Sequence, residues 1–224
     1  MSALSQFIGK PIMVKVILVR HGETDWNRKE VFRGRIDVAL NQNGRKQAQA
    51  LAEATREFHI DAIYSSPLSR SLETAEAVAG IHGISVELAD GFIDFHYGDW
   101  QGLEHGKVEK NFPDLYREWH ESPHLVQIPG GENLDDVSRR SLEELGRLAV
   151  KCEGQTIMIA SHRVVNKVLL CAVMGLDNSH FWDLRQSNCC LNIFEFSKDR
   201  CIIHLLNDTC HLRKIKGGVL EADF

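Results

Sequence analysis

Residues 14–19, VKVILV, are almost wholly apolar and rich in β-branched side chains, with no sustained apolar–polar alternation. A strand wetted on one face alternates; one that does not is covered on both faces. This run therefore calls for a sheet buried between two layers, and the rest of the chain supplies them. DAIYSS (61–66), ISVEL (84–88) and TIMIAS (156–161) are further short strands. Helical patterns separate them. LNQNGRKQAQALAEATREF has Ala48, Leu51, Ala52 and Thr55 at helical spacing, and LSRSLETAEAVAG is ended by Gly80. Leu134 to Cys152 is opened by the polar GGEN, and VVNKVLLCAVMG forms a last helix. LNIFEF (191–196) and CIIHLL (201–206) pair as a hairpin around Lys198-Asp199. Alternating strands and helices imply an α/β three-layer sandwich, its mainly parallel sheet carrying one antiparallel strand and flanked by helices. With no repeat or low-complexity linker, residues 1–224 read as a single domain. Residues 91–131, rich in Gly, His, Trp and Pro, break the pattern and read as an inserted lid or loop region with one helix near 104–120.

Composition excludes several partners. The net charge of −5 without a basic block argues against nucleic acid. It leaves room for an anionic small molecule, because a few convergent arginines make a locally positive pocket. No apolar stretch reaches the ~20 residues that a membrane span needs. MSALSQFIGKPIM has no cationic start followed by an apolar core, so no secretion signal is read and a cytoplasmic location is expected. The six cysteines (152, 171, 189, 190, 201, 210) show no zinc spacing and are expected as reduced, mostly buried thiols. The apolar closing strands offer an edge for a homodimer.

Ligands of such sheets bind beyond the carboxyl ends of the strands. Two segments fall on that rim: Arg20-His21-Gly22 after the first strand and Ser161-His162 after TIMIA. A single histidine at a strand end is most often a polar cap; two of them, with Arg20 beside one and Arg70 at the start of the helix after YSSPLS, are more informative. If these strand ends are neighbours, two guanidiniums converge on one small volume, which suits a bound oxyanion such as phosphate.

RHGETDWN, FRGRIDVALNQNGRKQA, IYSSPLSRSLETA, DFHYGDWQG, GGENL and ASH occur in one order between residues 14 and 165. Together they resemble the histidine phosphatase superfamily, also called phosphoglycerate-mutase-like. The resemblance makes His21 a nucleophile that forms a phosphohistidine, with Arg20, Arg70 and His162 on the phosphoryl oxygens. It puts Asn27 on phosphate or substrate and the backbone of Gly34 on the pocket wall. The proton donor would be Asp94, four residues before the glycine of FHYGDW, where the family more often carries glutamate. Neither metal nor other cofactor is implied. Independent chemistry agrees. An attacking imidazole must be neutral, and flanking arginines disfavour the imidazolium. Charge on the equatorial oxygens of a transferring phosphoryl group favours fixed cationic donors. Asp94 has a reference pKa of ~3.9 and must be raised, by burial among Phe92, Phe95, Tyr97 and Trp100 and by the phosphate's charge.

Arg163 follows His162 where family members often carry a small or polar residue; it either adds a substrate contact or points into solvent. His96, His105, His120 and His124 read as surface residues of the irregular region. Only about thirty residues separate Gly102 from GGENL, which resembles the phosphatase branch rather than the mutases, whose insertion is longer. SPHLVQIPGGENL and LNDTCHLRKI resemble the metal-independent phosphoserine phosphatases, and that resemblance makes His211 a substrate contact. The expected partner is thus a small phosphorylated metabolite. Phosphoserine stands ahead of α-ribazole phosphate and sugar phosphates, with a mutase and a non-catalytic phospho-ligand-binding member as the remaining alternatives.

Overall fold

The computed structural model describes residues 13–197 and 200–215. The N-terminal tail through Pro11-Ile12 and the turn at Lys198-Asp199 lie outside the described residues. The strands are β1 (Val14–Arg20), β2 (Ala62–Ser65), β3 (Val86–Leu88), β4 (Thr156–Ser161), β5 (Leu191–Ser197) and β6 (Arg200–Asp208). They form one sheet in the order β3-β2-β4-β1-β5-β6. β1 to β4 are mutually parallel, and β5 is antiparallel to both β1 and β6, so β5 alone runs against the rest.

The unalternating pattern of β1 has its cause in the layers. Val16 and Leu18 pack with Leu145, Leu148, Val165 and Leu169 of α6 (Leu134–Lys151) and α7 (Arg163–Val173). Ile17 and Val19 face the other way, onto Leu51, Ala52, Ala75 and Val78 of α2 (Gln42–Ala54) and α3 (Ser69–His82). Burial of each such side chain contributes about 1.5–3 kcal/mol. β4 repeats the arrangement, with Ile157 and Ile159 on one face and Met158 and Ala160 on the other. This is the three-layer α/β sandwich expected from the strand pattern.

Three local expectations change. α3 continues through Gly80 and ends at Gly83, whose φ of 66° is the left-handed conformation that closes a helix. A glycine inside a helix weakens it by ~1 kcal/mol but does not stop it. The helix expected near 104–120 is two: α4 (His105–Asn111) and α5 (Pro113–Glu121). Pro113 lacks an N–H and pushes Phe112 out of the helical region, to φ −135° and ψ 54°. A short helix, α1 (Asp25–Arg28), follows the RHG turn, capped by Thr24 and Asn27.

Residues 91–131 are packed rather than loose. Phe92, Phe95, Trp100, Trp119 and Ile128 are fully buried, and Trp119 meets Phe95, Trp100 and Phe181 ring to ring. Among the described residues, no helix is long and apolar enough to cross a membrane.

Candidate active site

Register brings the two rim histidines together. In the β1–β4 pairing Arg20 stands opposite Ser161, so the chains leave the sheet side by side and the His21 amide donates to the Ser161 carbonyl at 2.9 Å. The rings of His21 and His162 lie 5.2 Å apart, centroid to centroid. β2 ends one strand further along and feeds α3, which carries Arg70 back over the same rim. Three neighbouring carboxyl ends thus converge. His21, Arg70 and His162 have no exposed surface, and Arg20 has 5%.

The RHG turn needs glycine for a steric reason: a side chain on Gly22 would collide with the Gly44 carbonyl, and one on Gly44 with the Glu23 backbone. α2 therefore docks its first turn directly on the loop. Buried Glu23 ties the loop down by accepting from Arg28, Asn41 and Asn43 at 2.6, 2.7 and 3.1 Å. Its bonds make it a structural carboxylate of the loop. Asn27 accepts from the Thr24 amide and hydroxyl through Oδ1, which turns its amide N–H groups outward from that cap.

His21 is oriented by its own neighbour. Its Nδ1 lies 2.6 Å from the Gly22 carbonyl oxygen and so carries the proton, which leaves the lone pair on Nε2. Nε2 is buried without a hydrogen-bond partner. Burial first, then Arg70, His162, Arg33 and Arg20, hold the His21 pKa well below its ordinary value. The imidazole is neutral. His162 is also held down, by burial and by Arg70 and Arg33 against the opposing pull of Asp94. Its Nε2 is 2.7 Å from Ser66 Oγ and its Nδ1 3.5 Å from Asp94 Oδ2.

Asp94 joins the group, but in a different state from the one expected. Arg70 donates to Oδ2 at 2.8 Å and the Phe95 amide to Oδ1 at 2.9 Å. Burial pushes its pKa up, yet His162, Arg70 and Arg33 outweigh burial and hold it down to about 2. The burial expected from the aromatic surroundings is present, Asp94 being 5% exposed, but the cations outweigh it. As its surroundings stand, Asp94 is a carboxylate. Its main chain is fixed from the GGEN segment, since Glu132 accepts from Arg35 and Arg140, and both arginines donate to the Asp94 carbonyl.

Of these groups Arg20 and Asp94 border a small cleft of about 50 Å³, lined also by Asn27, Gly34 and Arg163 among others. Arg163 is thus turned into the cleft rather than into solvent. Gly34 also holds Arg70, accepting from Nη2 at 2.7 Å. His105 lines the cleft as well, contrary to the surface reading. It stacks on Phe32 at 4.0 Å, and burial lowers its pKa to about 3. His211 is not brought in. It sits half-buried on the turn Cys210–Leu212, beside the Cys189 backbone and outside the lining of the cleft.

Three further parts escape a reading of the motifs. Arg33 lines the cleft with Nε buried and unbonded; burial, Arg70 and Arg20 bring its pKa down to about 9. FRGR carries two arginines, and nothing in their order says that Arg33 turns inward while Arg35 pairs with Glu132. The second part is the segment 186–190. The Gln186 carbonyl accepts from Arg20, Asn188 donates to the His21 carbonyl at 3.1 Å, and the Cys189 amide bonds Arg20 and His21 carbonyls. Third, Asn192 anchors that segment, donating to the Leu18 carbonyl and exchanging hydrogen bonds with Gln186. Among the described residues no group of three or more His, Cys, Asp or Glu could hold a metal ion.

The arrangement can accept an oxyanion and present a neutral nitrogen to it. Comparison with known proteins agrees. The family model for the histidine phosphatase superfamily (branch 1) matches residues 16–209. Phosphoserine phosphatase 1 of Hydrogenobacter thermophilus is 37% identical over 200 residues, covering 89% of this chain and 95% of that protein. YhfR of Bacillus stearothermophilus superposes with a TM-score of 0.85 at 31% identity, over 88% of this chain and 98% of that one. A phosphoserine phosphatase of Entamoeba histolytica, solved with 3-phosphoglyceric acid, gives a TM-score of 0.81 at 28% identity, over 89% and 100% of the two chains. The chain belongs to the histidine phosphatase superfamily, branch 1, and is a phosphatase.

Proposed function

We propose that this phosphatase hydrolyses a small phosphomonoester, phosphoserine foremost, through a phosphohistidine on His21. One observation carries the chemistry: His21 Nε2 is buried, neutral and without a hydrogen-bond partner, on a floor that also holds Arg20, Arg70 and His162. The Nε2 lone pair attacks phosphorus as the ester P–O bond breaks. Arg20 and Arg70 hold the equatorial oxygens where charge gathers, and His162 Nδ1 supplies a further polar contact. The departing alkoxide takes its proton from Asp94. Water then attacks phosphorus while Asp94 takes its proton, the P–N bond breaks with its pair returning to Nε2, and phosphate leaves. A phosphoryl dianion that occupies Arg70 draws that cation off Asp94, which is otherwise held at about 2, and adds negative charge beside it. Both effects raise it toward the protonated state that a donor needs. Support for phosphoserine comes from the relatives that bear that name and from the resemblance of SPHLVQIPGGENL and LNDTCHLRKI to metal-independent phosphoserine phosphatases.

The test is para-nitrophenyl phosphate turnover with a chelator present, comparing wild type with His21→Ala. The variant is expected to lose roughly 10³-fold or more in kcat. Rapid quench of the wild type is expected to trap an acid-labile, alkali-stable phosphoprotein. Equal rates in the two proteins would overturn the mechanism.

A further inference from the structure

We propose that Arg33 and Arg163 form a second anion-binding subsite next to the phosphoryl floor, and that they select a phosphomonoester with a carboxylate on a short carbon chain. This rests on the hydrolase reading above. Both side chains line the cleft, yet they reach it from different elements, Arg33 from the segment after α1 and Arg163 from the first residue of α7. Their surroundings order them outward from His21. Arg33 acts on His21, His162 and Asp94, so it borders the phosphoryl group. Arg163 acts on Arg33 and, together with Arg33, on Tyr97 and His105, which line the same cleft. A ligand anchored on His21 meets Arg33 and then Arg163.

The neighbours suit a carboxylate there. Tyr97 hydrogen-bonds Arg163 and fixes the guanidinium, whose planar fork matches a carboxylate bidentately. His105 adds no charge, because it is held neutral. The stacked Phe32–His105 pair and Trp26 give the cleft apolar sides against which a short chain can lie. Glu30, the other carboxylate of the lining, is exposed. Arg33 and Arg163 line the same cleft as Arg20 and Asp94, so both anions of one small ligand fall within it. The floor already has Arg20 and Arg70 for the phosphoryl oxygens. A second anion offsets the repulsion among the four guanidiniums, which a neutral alcohol does not.

The test compares kcat/KM for phosphoserine and 3-phosphoglycerate with kcat/KM for phosphoethanolamine and glycerol 3-phosphate, which lack the carboxylate. Wild type is expected to prefer the carboxylates by about ten-fold or more. Arg163→Gln and Arg33→Gln are expected to reduce that ratio by a similar factor, chiefly through KM, and Arg163→Lys to retain part of it. Because the readout is a ratio within one preparation, it does not depend on the fraction of folded enzyme. A wild-type ratio within three-fold of unity, or a ratio unmoved by Arg163→Gln, overturns the subsite. Absence of para-nitrophenyl phosphate turnover in wild type overturns the hydrolase reading instead, so the two failures are distinguishable.

Discussion

The cleft has two ends built on different principles. Its floor is made of strand ends. β1, β4 and β2 deliver Arg20-His21, His162 and Ser66 in register, and α3 drops Arg70 among them, with nearly every group buried. The mouth is made mostly of segments that no sheet registers, Trp26 and Glu30 around α1, Phe32 and Arg33 beyond it and Tyr97 after a short turn, with Arg163 joining from the residue after His162. A floor fixed by a buried sheet suits chemistry that is the same for every phosphomonoester. A mouth built from connections can vary without disturbing the core. Damage to the floor should therefore abolish turnover of all substrates, whereas damage to the mouth should change which substrate is preferred.

Arg70 gives the largest expected effect. It donates to Gly34, Ile36 and Asp94 at once, so it is both anion ligand and brace. Arg70→Met is expected to lower kcat/KM for every substrate by about 10³-fold or more, the scale of a guanidinium on a transferring phosphoryl group. Its pH signature follows from Asp94. In wild type the folded-state pKa of about 2 lies below the unfolded value of ~3.9, so the contribution is complete above that value and is lost as pH falls through about 2. Without Arg70 the carboxyl rises, the window moves up, and acid unfolding followed by circular dichroism begins at higher pH. An unshifted acid midpoint would mean that His162 and Arg33 hold Asp94 without help.

Asn192 sets an intermediate expectation. Its side chain bonds the Leu18 carbonyl, Gln186 and the Asn207 amide, and through Gln186 it holds Arg20 against the floor. Asn192→Leu leaves several buried polar groups unbonded, which costs about 1–3 kcal/mol each where they find no water. Thermal unfolding and kcat/KM are both expected to fall, the latter alike for carboxylate and neutral substrates. A stability loss with unchanged kcat/KM per folded molecule would show that Arg20 is positioned from elsewhere.

The same contrast explains what was legible in the sequence. VKVILV and TIMIAS could be read because a doubly covered strand leaves an apolar run, and His21 and His162 stood directly after two of them. The floor followed from that adjacency, since parallel register places strand ends together whatever the loops do. Arg33 could not be separated from Arg35, because a loop without a period does not say which side chain turns inward. The ionised state of Asp94 was equally hidden: its sequence neighbours are aromatic, but its spatial neighbours Arg70, Arg33 and His162 come from three other segments. The anchoring role of Asn192 lies in one polar residue inside a strand, opposite Leu18, which the sequence marks only as an interruption.

His211 gives the smallest expected effect. The resemblance made it a substrate contact, but its ring lies beside the Cys189 backbone and it is not among the residues that line the cleft. Cys189 in turn bonds the Arg20 and His21 carbonyls, so any influence of His211 passes through the backbone that supports the floor. Such an influence acts on every substrate alike. His211→Ala is therefore expected to change kcat/KM for phosphoserine and for para-nitrophenyl phosphate by the same factor, within about three-fold of wild type. A loss of ten-fold or more confined to phosphoserine would return His211 to substrate recognition and move part of the mouth's selectivity from Arg163 to the C-terminal turn.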